Sequence, residues 1–160
     1  MEHLKKQRKK MKTTIFKIGL FCMLIVFSAC NVDCNSDCMS APEPITFELV
    51  DATTQENVFT STLYNSDDIT IVDTENNEVL THVFISENNK NLLQIGSVGW
   101  KTEQLTLAIK IANETLFTLF IDAERLQGDC CTFTKYKEIT LHNVSFQFDT
   151  STGIYKVTLN

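Results

Sequence analysis

The side chains with the most chemistry open to them in this chain of 160 residues are its six cysteines. Cys22 lies inside an apolar run and reads as one more hydrophobe. Cys30 closes that run after Ser28 and Ala29, where its thiolate is free to act as a nucleophile. Cys34, Cys38, Cys130 and Cys131 sit in polar stretches and are candidates for disulfides. Four cysteines allow three pairings. A bridge from Cys34 or Cys38 to the adjacent pair would close a loop of close to a hundred residues, worth about 4–5 kcal/mol by chain entropy. A local Cys34–Cys38 bridge is the competing arrangement. Zinc is disfavoured, because C-x-x-x-C and an adjacent pair depart from the usual C-x-x-C spacing.

The remaining candidates have bland readings that outweigh the chemical ones. Asp73, Glu75 and Asn77 place oxygens at alternating positions, as calcium loops do. Glu78, however, stands where such a loop needs Gly, and no Glu stands at the twelfth position. A solvated hairpin loop is the expectation, and Asp67-Asp68 is read the same way. His82 alternates with Leu80 and Phe84 and is expected to share their face, half-buried. His142, beside Asn143, is expected to be solvated. Trp100 is the only tryptophan. It is read first as a core or sandwich-edge residue, and second as an exposed ring on a binding loop, able to stack on a sugar or a partner protein. No GxSxG, HExxH or Gly-rich phosphate loop occurs. Neither a catalytic set, a metal site nor a cofactor is expected, and the chain is read as no enzyme.

Around Cys30 the charge is divided. Residues 1–29 hold seven basic residues against Glu2 alone, a net of +6, so with the whole chain at −6 the remaining 131 residues carry −12. Phosphates would be repelled by so acidic a domain, which argues against nucleic acid as a partner. Residues 1–17 are basic, and Ile18–Ala29 is an uncharged run of twelve. About 20 apolar residues are needed to span a bilayer, so this run fits a secretory signal instead. The tetrad Phe27-Ser28-Ala29-Cys30 resembles the lipobox of bacterial lipoproteins, with Phe27 in place of the usual Leu. That resemblance implies a diacylglyceryl thioether on Cys30, cleavage before it and further acylation of the freed amine. Two or more acyl chains anchor stably. It also implies an envelope address, the outer membrane at its periplasmic or surface face. Asp33 and Asp37 resemble the surface-export signals of some outer-membrane lipoproteins.

Residues 30–44 then read as a flexible tether, with both prolines of the chain and no periodicity. From residue 45 to 160 the dominant period is two. Ile45, Phe47 and Leu49 alternate with polar residues. Asn57–Thr62, Ile69–Val72, Val79–Ser86 and Leu92–Ile95 are short strand candidates. Leu105, Leu107, Ile109 and Ile111 line one face of a longer one. Residues 115–121 are apolar on both faces, which predicts a central strand. Thr132–Leu141 and a hairpin with Val144, Phe146 and Phe148 opposite Tyr155, Val157 and Leu159 complete the chain. The expectation is an all-β sandwich of about seven to nine strands, immunoglobulin-like or transthyretin-like. Leu49–Phe59 resembles the opening of carboxypeptidase-regulatory-like, transthyretin-like domains, which read V-D-x-x-T-G-E-x-V/L, with Gln55 in the place of Gly. The chain as a whole resembles small lipoproteins of Gram-negative bacteria.

These features predict a lipid-anchored envelope protein that binds an envelope protein or a glycan without catalysis. A structural subunit of an envelope complex is the alternative, and it predicts an exposed apolar patch or an unpaired edge strand. A small calcium-dependent hydrolase ranks last.

Overall fold

A computed structural model describes residues 38–61, 63–87 and 90–160. The segments expected to be signal peptide and lipobox, with Cys30, and Cys34 lie outside the described residues. Eleven strands are described, in two sheets. Sheet A has the order β1-β9-β8-β7-β3-β4 and sheet B the order β10-β11-β2-β6-β5. The strands are β1 Cys38–Met39, β2 Ile45–Asp51, β3 Ile69–Asp73, β4 Val79–Leu80, β5 Val83–Ile85 and β6 Leu92–Ile95. They continue with β7 Glu103–Ile111, β8 Glu114–Gln127, β9 Cys131–His142, β10 Ser145–Asp149 and β11 Ile154–Leu159. The protein is a β-sandwich, as its period-two pattern predicts.

The alternation decides which residues the two sheets bury between them. Sheet A contributes Ile71, Leu107, Ile109, Phe117, Leu119 and Ile121, and sheet B contributes Phe47, Leu49, Leu93, Ile95 and Val157, all at most 1 % exposed. Rings of Phe47 and Phe117 meet across the interface at 5.7 Å. β8 lies between β7 and β9, and so is central. That position explains its second apolar row, with Leu116 and Phe120 half-buried on the outer face. β2, first of the long strands, runs parallel to the last, β11, and pairs on its other side with β6.

Three expectations need correction. Residues 38–44 are not loose tether. β1 pairs in parallel with the start of β9, and Pro42 is buried. A second correction concerns the strand expected over Asn57–Thr62: its described residues, 57–61, form no strand beyond one bridge from Asn57 to Val50. The Asn57 carboxamide bonds the carbonyl of Asn91 at 2.8 Å and the amide of Phe59 at 3.1 Å, so the side chain turns the backbone in place of a ladder. Finally, Val79–Ser86 is two strands. β4 pairs with β3 in sheet A and β5 with β6 in sheet B, so the chain changes sheets at Thr81-His82. With the short strands β1 and β4 counted, the total exceeds the seven to nine expected.

Gln55, at the position where the transthyretin-like pattern has Gly, itself takes a left-handed conformation, φ 61°. The Asp51 carboxylate holds this turn by accepting from the amides of Thr53 and Thr54 and from the Thr54 hydroxyl. Those bonds keep its pKa below the ordinary carboxylate value.

Candidate functional site

The loop between β6 and β7 carries Gly96, Ser97, Val98, Gly99 and Trp100. Val98 is buried and anchors the loop to the core. Gly99 has φ +89°, and a Cβ there would stand 2.9 Å from Cγ2 of Thr134. Only glycine meets both conditions without strain. The loop is then tied from three sides. The Thr134 hydroxyl donates to the Gly99 carbonyl at 2.5 Å. Glu103 accepts the Gly99 amide at 2.8 Å. The Tyr136 hydroxyl lies 2.9 Å from the carbonyl of Glu43 and 3.2 Å from that of Val98, sharing its one proton between them. Burial, with the carboxylates of Glu103 and Glu43 nearby, raises the Tyr136 pKa, so that proton stays in place.

These ties leave Trp100 47 % exposed, so the expectation of a core ring gives way to that of a loop ring. The indole N–H donates to the Gly96 carbonyl at 3.2 Å, which sets the ring's orientation. Trp100 forms one wall of a groove of about 360 Å³, with Asn76, Glu78, Thr81, Ser97 and Lys101 around it. Lys101 is 3.6 Å from Glu103 but largely solvated, so the pair contributes little. A fixed aromatic face ringed by hydroxyl, amide, carboxylate and ammonium groups can stack against an apolar face and hydrogen-bond a polar rim at once.

The other candidates are dispersed. Asp73 is 3 % exposed, and its carboxylate accepts the Glu75 amide at 2.9 Å. The Asn76 side-chain oxygen Oδ1 accepts the Glu78 amide at 2.7 Å. These groups cap a hairpin turn, and among the described residues no group of three or more His, Cys, Asp or Glu side chains gathers to hold a metal. Asp67 and Asp68 lie in a single 3₁₀ turn. His82, expected on one strand face, sits at the crossover between sheets, where burial lowers its pKa. His142 ends β9 and is exposed.

Cys38 and Cys131 form a disulfide across 93 residues. Cys130 is disulfide-bonded as well. Beside them Arg125 ties residues 38–44 to the sandwich. Its guanidinium donates to the Ser40 carbonyl at 2.6 Å, to the Thr134 hydroxyl at 2.6 Å and to the Thr132 hydroxyl at 3.1 Å. Its backbone amide donates to the Thr102 hydroxyl at 2.9 Å. The entry of the chain, the disulfide and the Trp100 loop therefore share one end of the domain. Sequence reasoning missed Arg125 and Tyr136, since nothing in their spacing reveals a partner many residues away. Compared with known protein families, curated protein sequences and solved structures, the chain matches none.

Proposed function

We propose that this chain is a lipid-anchored protein of the bacterial cell envelope, in the outer membrane, acting as a non-catalytic module that binds a sugar in the Trp100 groove. The observation that carries the reading is the half-exposed indole, fixed by Gly96 and set among polar side chains. The anchor rests on Cys30 within FSAC and on the basic and apolar segments before it. The Cys38–Cys131 disulfide supports an oxidising compartment. The hydrolase alternative has less support, because Asp73 and Asn76 are committed to the hairpin turn.

Two measurements test it. Cys30→Ala moves the protein out of the membrane fraction or leaves an unprocessed precursor; continued membrane fractionation of a processed chain refutes lipidation. Trp100→Ala abolishes retention of the protein on immobilised envelope glycans; undiminished retention removes the groove from the function. A structural role in an envelope complex is the second reading, favoured by the exposed edge strand β10.

A further inference from the structure

Among the described residues, four strands form the edges of the two sheets. β1 and β4 have two residues each and β5 three, whereas β10 has five. Edges are commonly blunted by shortness, by Lys or by Pro. β10, Ser145-Phe-Gln-Phe-Asp149, has none of these, and all five residues are exposed. Its one charge, Asp149, is occupied by its own turn, accepting from the Ser151 amide and hydroxyl and from the Thr152 hydroxyl. Phe146 and Phe148 are 39 % and 48 % exposed. Their rings nonetheless stand in a row that begins in the core. Phe117 meets Phe47, Phe47 meets Tyr155 at 5.7 Å, and Tyr155 meets Phe148 at 4.5 Å and Phe146 at 6.1 Å. The row stops at the open edge.

We propose that β10 pairs antiparallel with β10 of a second copy of this chain, about a two-fold axis through Gln147. The Asp149 carbonyl accepts from the Gly153 amide at 2.8 Å, so it points into its own hairpin. The alternation of an antiparallel ladder then turns the N–H and C=O of Phe148 and Phe146 to the open side. Centred on Gln147, these groups meet their counterparts, with Phe146 opposite Phe148 in each direction. Ser145 faces Asp149, so no like charges oppose each other. The aromatic row continues across the axis, and the contact is the same patch on both copies, as a closed dimer requires. A cationic peptide would find one carboxylate, Asp149, on this strand, whereas a second copy sets Phe146 against Phe148 on both sides of the axis.

The test uses the full chain in density-matched detergent micelles. Sedimentation equilibrium should give twice the chain mass. Gln147→Cys should form a covalent dimer under mild oxidation, because facing Cα atoms at such a pair lie about 4.5 Å apart. Ser145→Cys should not. Phe148→Pro removes an outward N–H while sparing the β11 ladder, and should halve the mass. If that variant folds poorly, Phe146→Lys should do the same while keeping a cooperative thermal melt. A monomeric wild-type chain, bare or with a foreign peptide on the edge, overturns the proposal. So does a dimer that Gln147→Cys fails to trap.

Discussion

Gly99 and Gln55 both occupy left-handed backbone, yet opposite substitutions are expected to be felt. At Gly99 the φ of +89° and the nearby Thr134 leave no room for a side chain. Gly99→Ala should lower stability by about 1–3 kcal/mol and alter the emission of Trp100, read by thermal melting and fluorescence; an unchanged melt would show that the loop is looser than its hydrogen bonds imply. Gln55 tolerates φ 61° at a cost that glycine would not bear. Gln55→Gly should raise stability by about 1 kcal/mol, and a fall would show that the side-chain bond to the Ala52 carbonyl outweighs the strain. His82 titrates against burial, which lowers its pKa from 6.5. The unfolded chain therefore takes up a proton that the folded one resists. This contribution to stability is complete above pH 6.5 and is lost as pH falls through the folded value. Melting temperatures should drop in that window, and His82→Gln should remove that part of the drop; parallel curves for the two proteins would contradict it.

Strands were legible where they were long and kept one partner on each side. The row from Leu105 to Ile111 and the two-faced run around Phe117, Leu119 and Ile121 fall in β7 and β8, with Leu107 opposite Leu119. Leu119 is fully buried between the sheets, so Leu119→Ala should cost about 2–5 kcal/mol in a denaturant titration; a loss below 1 kcal/mol would mean that the core collapses onto the gap. Legibility failed where a short run changed partners. Val79–Ser86 keeps its period of two across a switch of sheets, because alternation reports the face of a strand and not its neighbour. At Asn57–Thr62 a carboxamide replaced the ladder, and Val58 is buried from a turn. The candidate loop was visible through Trp100 and its flanking glycines. Its exposure was not, since that depends on Thr134, Tyr136 and Glu103 from other elements.

For the molecule as a whole, the Cys38–Cys131 disulfide joins β1 to β9, strands far apart in sequence and adjacent in the sheet. Cys38–Cys131 closes a span of 93 residues, and its removal as the Cys38→Ala, Cys131→Ala pair should cost at most about 4–5 kcal/mol, the chain-entropy limit for a loop that no second crosslink shortens. The compartment read from FSAC made such a bridge an expectation, although four cysteines left the pairing open. Residues 38–44, expected as tether, are folded onto the sandwich. For the proposed sugar site beside Trp100, the chain contains its own reporter. Trp100 is its only tryptophan, so a fluorescence titration of the full chain with N-acetylglucosamine oligomers and with envelope polysaccharide observes the groove directly. A saturable shift in emission with at least one of these sugars is the expected result. Emission unchanged across the whole series would contradict the account.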